Sequence, residues 1–213
     1  MTINKSRKIL EYLDKILPEA KCELNYTNIY ELMISVILSA QTTDNSVNKV
    51  TPNLFKEYSS FNDLAYAPIE KLENHLKTLG LFKIKANRIK EVSNIILEKY
   101  GGIVPNNIEE LTSIKGVGRK TASVILVEYY NVQAFPVDTH VHRIAIRLEI
   151  ASNKDSLFNV EQKLKLFFKD YNWKKLHHQL IAFGRYYCKA KNPLCDNCEL
   201  KDFCSYYKKT RKY

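Results

Sequence analysis

Apolar residues recur along this chain at helical spacing. Ile9, Leu10, Leu13, Ile16 and Leu17 fall on one face of a first amphipathic helix that must stop before Pro18. Asn28 and Glu31 form a capping pair, and Leu32, Met33, Ile34, Val36, Ile37 and Leu38 behind it are apolar on every side, so this helix is predicted at the centre of a core. Asp44 is placed to cap a helix bearing Val47, Val50, Leu54 and Phe55, disturbed near Pro52. Pro68 opens another that stops at Gly80, and Ile84, Ile89, Val92, Ile95 and Ile96 mark a long helix closed by Gly101-Gly102. Leu111 and Ile114 end one helix and Arg119 to Tyr130 reads as the next. Three more are expected near 139–148, 160–169 and 173–187, the last two turning Leu164, Phe167, Phe168, Leu176, Leu180 and Ile181 inward. No stretch alternates convincingly at period two, and no Asn-Gly or Asp-Gly turn occurs, so the fold class is all-α.

Size and charge narrow the picture less. At 213 residues and 45% hydrophobic content the chain can bury one good core or two small ones, which predicts one compact protein with two lobes. A net charge of +10 favours a polyanionic partner and salt-sensitive binding. That signal is weak alone, because 26 of the 33 basic residues are Lys, as codon bias toward Lys, Asn, Ile and Tyr would also produce. Lys5, Arg7, Lys8, Glu11, Asp14, Lys15 and Glu19 interrupt the first twenty residues, so no signal peptide is expected and the protein is expected to stay in the cytoplasm. Leu32 to Ala40, the most apolar stretch, is far short of the roughly 20 residues that cross a bilayer, and no membrane association is expected.

The run Leu111-Thr-Ser-Ile-Lys-Gly-Val-Gly-Arg-Lys-Thr-Ala122 adds chemistry to the pattern. The Gly116-Val117-Gly118 turn allows φ > 0 between two helices, a helix-hairpin-helix, and its glycines leave backbone N–H groups open to a phosphate at the positive end of the second helix. Arg119 and Lys120 follow at once. In that first turn the helix dipole penalises an ammonium and favours a neutral amine, which can attack a sugar carbon or form a Schiff base; the bland alternative is one exposed lysine among many. Asp138, in Val137-Asp-Thr-His140, fits the N-cap of the next helix, and an ionised carboxylate there can also stabilise a developing cation or accept a proton. Its charge would oppose the effect of the dipole on a nearby Lys120. His140 and His142 fit structural or phosphate-facing roles better than catalytic ones.

Cys188, Cys195, Cys198 and Cys204 are spaced C-x6-C-x2-C-x5-C, and the fifth cysteine, Cys22, reads as a small buried hydrophobe. Four soft ligands packed this tightly are a metal signature. Disulfides are disfavoured in the reducing compartment that a missing signal peptide implies. Zinc stays open on spacing alone, although only one short C-x2-C knuckle is present and the wide spacers suit a bulkier iron–sulfur cubane. Arg185, Lys189 and Lys191 would present a basic loop to nucleic acid around the metal, or remain a solvated surface. Lys208, Lys209, Arg211 and Lys212 are expected in a frayed basic tail.

The hairpin motif, the Val-Asp-Thr-His run and the cysteine tail together closely resemble the endonuclease III family, DNA glycosylases with AP-lyase activity in the helix-hairpin-helix superfamily. The resemblance covers essentially the whole chain. It implies a six-helix domain over 22–132, an iron–sulfur domain formed by 1–21 with 133–213, DNA bound at the cleft between them, and a 4Fe-4S cluster on the four cysteines. It also implies Lys120 as nucleophile, Asp138 as the essential carboxylate, Gln41 in Leu38-Ser-Ala-Gln-Thr-Thr-Asp44 as the residue that fills the hole left by an extruded base, and Leu81 in Leu79-Gly-Leu-Phe82 as a wedge on the opposite strand. Gly116, Val117, Gly118, Arg119, His140, Arg143, Arg185, Lys189 and Lys191 are then expected on DNA. The implied partner is double-stranded DNA carrying damaged bases or abasic sites, bound by a monomer. His142 sits where relatives vary, which bears on lesion preference. A monofunctional glycosylase and a catalytically silent, oxidant-sensing DNA binder are the competing readings, and Lys120 beside the hairpin argues against both.

Overall fold

A computed structural model describes residues 2–210, and among them every regular element is helical. The chain divides into two compact units, one of residues 1–21 with 133–213 and one of 22–132.

The contiguous unit is built around α2 (Ile29–Leu38), eight of whose ten residues are buried. The Asn28 side chain accepts from the Glu31 N–H and caps it. The Glu31 carboxylate returns to the N–H and hydroxyl of Thr27, one residue earlier than a capping box requires. α3 (Asp44–Glu57) is capped one residue earlier than expected: Thr43, not Asp44, accepts from Ser46 N–H, and Asp44 opens the helix. α3 also runs unbroken through Pro52, whose missing N–H leaves the Asn48 carbonyl without a helical donor.

α4 (Phe61–Tyr66) was not legible from periodicity, being six residues long. Its cap is nonetheless written in Ser60, which accepts from Asp63 N–H, while Asp63 accepts from Ser59. Ala67 is extended ahead of Pro68 and separates α4 from α5 (Ile69–Leu76), so the expected six-helix unit resolves as seven helical segments. α6 (Phe82–Tyr100) ends at Gly101 with φ 60, where Gly101 and Gly102 N–H donate to Leu97 and Ile96 carbonyls. Ile84, expected inward, is 58% exposed at its first turn. α7 (Ile108–Ser113) and α8 (Arg119–Glu128) complete the unit around a core that includes Leu32, Leu54, Leu72, Ile89, Leu111 and Ile125.

In the other unit α1 (Thr2–Ile16) packs with α9 (Thr139–Arg147), α10 (Leu157–Phe167) and α11 (Trp173–Ala182) around Ile9, Leu13, Phe135, Val160 and Leu176. Asp14 fastens α1 to α11, accepting from Tyr171 Oη, Gln179 Nε2 and Lys175 Nζ at 2.8, 2.8 and 2.6 Å. After α11 the chain winds through a π-helical turn, Phe183–Tyr187, a 3-10 turn, Lys201–Phe203, and α12 (Ser205–Thr210). Lys208 and Lys209 therefore lie in a helix and not in a frayed tail, because the Tyr206 ring lies 4.0 Å from the Arg147 guanidinium and Ser205 Oγ donates to the Arg147 carbonyl. Arg211 and Lys212 lie outside the described residues. Among the described residues no helix is long and apolar enough to cross a membrane.

Candidate nucleic-acid interface and metal centre

The turn between α7 and α8 uses its two glycines differently. Gly116 takes φ +99, which only glycine adopts readily, and the space a side chain would fill is occupied by Arg88, whose Nε would stand 2.8 Å from a Cβ there. Gly118 is extended at φ −78 and ψ 166, so the positive φ that the turn allows is used at Gly116; a Cβ on Gly118 would meet nothing within 4 Å. Val117 is buried and its N–H donates to the Ile114 carbonyl at 2.9 Å, so it anchors the turn and offers no free donor. No side chain caps α8, which leaves its first-turn N–H groups open beside exposed Arg119 and Lys120. That arrangement suits an anion.

Gln41 and Leu81 share an unusual backbone state in the same unit. Both have positive φ, 55 and 60, and both are exposed, Leu81 by 53%. A non-glycine residue held left-handed at a loop tip stores strain. An exposed leucine there also has no packing reward, so the two positions are shaped by something other than the core.

Asp138 caps α9 as its sequence context implies. Its Oδ1 accepts from His140 and Val141 N–H at 2.9 and 2.8 Å, and Oδ2 accepts no hydrogen bond among the described residues. Arg143 donates to His140 Nδ1, to the Gly184 carbonyl and twice to the Cys188 carbonyl, which places the His140 proton on Nε2. Burial lowers the Arg143 pKa, opposed by the charges of Cys188 and Asp138. Nε and Nη2 of Arg143 are thus committed within its own unit, while Nη1 carries none of these bonds and remains for a phosphate. Gly184 is required at this contact, since a Cβ would lie 2.7 Å from His140 Cβ. Arg185 is half-buried in the π-helical turn, and Lys189 and Lys191 are exposed in the loop that follows Cys188.

Cys188, Cys195, Cys198 and Cys204 are half-buried, form no disulfide, and line one apolar pocket walled by Ile144, Leu148, Phe183 and Leu200. Among the described residues no three Cys, His, Asp or Glu side chains converge closely enough to hold a single metal ion. Four thiolates with one short C-x2-C knuckle between wide spacers, gathered on one apolar pocket, suit an iron–sulfur cubane. Arg147, only 8% exposed, was not singled out from sequence. It donates to Cys188 Sγ at 3.2 Å, to the Lys189 carbonyl at 2.8 Å and to the Ala190 carbonyl at 3.3 Å, and so holds the first ligand and its loop. Burial pushes the Cys188 thiol up and Arg147 opposes it. Its spacing from Arg143, one turn along α9, was the available signal. Cys22 packs partly buried against the core of its own unit, 22–132, its thiol pushed up to about 12 by burial and the charge of Glu128.

Comparison with known proteins is consistent across methods. The HhH-GPD superfamily of base excision DNA repair proteins matches residues 34–169, and the iron-sulfur binding domain of endonuclease III matches 188–204. Endonuclease III of Bacillus subtilis (strain 168) is 45% identical over 195 residues, 90% of this chain and 89% of that protein. Its counterpart in Thermotoga maritima is 39% identical over 186 residues, 87% of each. A non-covalent endonuclease III–DNA complex superimposes with a TM-score of 0.93 at 40% identity, covering 99% of this chain and 98% of that one. A trapped endonuclease III–DNA covalent intermediate does so at 0.91 and 41% identity, over 96% and 98%. The chain belongs to the endonuclease III family, the DNA glycosylase/AP lyases of the helix-hairpin-helix base-excision repair superfamily that carry a 4Fe-4S cluster.

Proposed function

We propose that this chain acts as a monomer on duplex DNA bearing oxidised pyrimidines or abasic sites, with Lys120 as nucleophile and Asp138 as the supporting carboxylate. The observation that carries the reading is exposed Lys120 in the uncapped first turn of α8, immediately after a glycine turn open to a phosphate. In the same unit Gln41 and Leu81 project from strained loop tips, as residues that occupy a duplex after base extrusion must. A base inside the stack hides its sugar C1′, so extrusion precedes attack.

The Lys120 amine attacks C1′, the N-glycosidic bond breaks and its electron pair leaves with the base, which takes up a proton. Ring opening yields an iminium between Nζ and C1′. Loss of a C2′ proton then expels the 3′ phosphate by β-elimination, and hydrolysis frees Lys120. Asp138, with Oδ2 uncommitted, stabilises the positive charge that develops on the sugar. The four cysteines, steadied by Arg147 and Arg143, would hold the cluster, which supplies a covalent staple for the loop bearing Lys189 and Lys191. DNA contacts are assigned to the hairpin N–H groups, Arg119, His140, Arg143 through its Nη1, Arg185, Lys189 and Lys191; Val117 contributes by anchoring the turn. Bacterial relatives and the net charge of +10 support a cytoplasmic protein working on chromosomal DNA.

Borohydride added during reaction with a thymine-glycol duplex should trap a covalent adduct with the wild-type chain and none with Lys120→Ala. Trapping that survives the substitution removes Lys120 from the nucleophile role.

A further inference from the structure

The loops that carry Gln41 and Leu81 and the phosphate-gripping hairpin all meet one face of one helix. Leu81 is the N-cap of α6, and Lys85 and Arg88, three residues apart, follow on one face of its first two turns. Leu81 stands at the helix start, and the Lys85 N–H donates to its carbonyl at 3.0 Å. Arg88 fills the space above Gly116, and one turn on Glu91 pairs with Lys115 at 3.2 Å. Between them the Lys85 ammonium donates to Thr42 Oγ1, the residue after Gln41, whose own N–H turns back to the Ser39 carbonyl at 3.1 Å.

Lys85 is an odd residue to find there. It is 5% exposed and forms no ion pair among the described residues. Burial lowers its pKa, the mark of an ammonium that loses solvation without a carboxylate in return. For the fold alone an apolar side chain of the same length would serve better. What the ammonium does achieve is geometric, because a charged donor bonds one neutral hydroxyl more firmly than a methyl packs against it.

We infer that Lys85 is a positioning residue for base extrusion, tying the Gln41 loop through Thr42 to the helix that carries Leu81, so that the two residues enter the duplex at a fixed separation. The inference rests on the assignment of Gln41 and Leu81 as the residues that occupy the opened duplex. A bond between the loops lets strain at one tip be borne by the other, and α6 acts as the ruler between them.

The test uses the full-length, cluster-loaded protein with Lys85→Met, Thr42→Val and the double variant. Extrusion is followed by a fluorescent adenine analogue placed beside the lesion, base release under single-turnover conditions, and stability by thermal melting. Extrusion and base release should fall about ten- to a hundredfold in each single variant, the worth of a charge-assisted hydrogen bond, with DNA affinity little changed; the melting temperature should be equal or higher in Lys85→Met and lower in Thr42→Val, which orphans the buried ammonium. The double variant should be no worse than either single one, and Lys85→Arg should recover part of the rate. Wild-type extrusion in both single variants, or a rate loss in Lys85→Met that tracks a lowered melting temperature, overturns the inference. Gln41→Ala and Leu81→Ala run alongside: if they extrude normally the underlying assignment falls and takes this inference with it, whereas if they are impaired and Lys85→Met is not, only the tie fails.

Discussion

Asp138 has two tasks and two oxygens to divide between them. Oδ1 satisfies two N–H groups of α9, while Oδ2 keeps its charge available. The tasks separate by substitution. Asp138→Asn retains an acceptor for the cap, so unfolding by urea should shift by no more than about 0.5 kcal/mol, while single-turnover base release should fall about 10²- to 10⁴-fold. Asp138→Ala should lose a further ~1 kcal/mol of stability with the cap. An Asn variant with wild-type turnover would reduce Asp138 to a cap. Much at this scale was legible in the sequence: the spacing of the four cysteines, the position of Lys120 after its glycine turn, and Asp138 ahead of a helix are all local patterns. Gln41 and Leu81 were reached only through resemblance, since a left-handed φ on an ordinary side chain leaves no mark in composition. Arg147 and Lys85 were missed because burial of a single cation is decided by which helices pack around it. Arg143 looked like a surface cation for the same reason.

Helices were legible wherever an apolar stripe ran for three turns, and their ends where Gly, Pro or a capping side chain stood. α4 escaped because six residues give too few positions for a period to show, although Ser60 and Asp63 mark its start. The disturbance expected at Pro52 fails for a tertiary reason: buried Val47, Val50, Thr51 and Leu54 hold α3 to the core on both sides of the proline, which itself faces solvent. A helix kept straight against the preference of its own backbone can be relieved. Pro52→Ala restores a donor to the Asn48 carbonyl and should raise unfolding free energy by about 1–3 kcal/mol, measured by urea titration; an unchanged midpoint would mean that α3 has already adapted to the missing bond.

For the whole molecule, the metal centre belongs to one unit alone. All four cysteines, the arginines that brace them and α12 lie in the 1–21/133–213 unit, so iron chelation should abolish the visible charge-transfer absorbance and lower one of two calorimetric transitions while the transition of 22–132 stays in place. A single transition that moves as one would show that the cluster stabilises both units. The charge of +10 was legible in the sequence and said only that the partner is an anion; the division into units rests on contacts between the first twenty-one residues and the last eighty-one, which no local pattern records. That division bears on how the chain comes off the ribosome. Residues 22–132 contain every partner of their own core and can condense as soon as they emerge, whereas α1, made first, must wait for α11 before Asp14 finds its donors. Tyr26 and Glu128, 3.3 Å apart, draw together the two ends of the finished unit. The contiguous unit can therefore shorten the search between the flanking segments: closing a flexible loop of that length would otherwise cost about 4 kcal/mol of entropy, and residues 22–132 precede all four cluster cysteines in the chain.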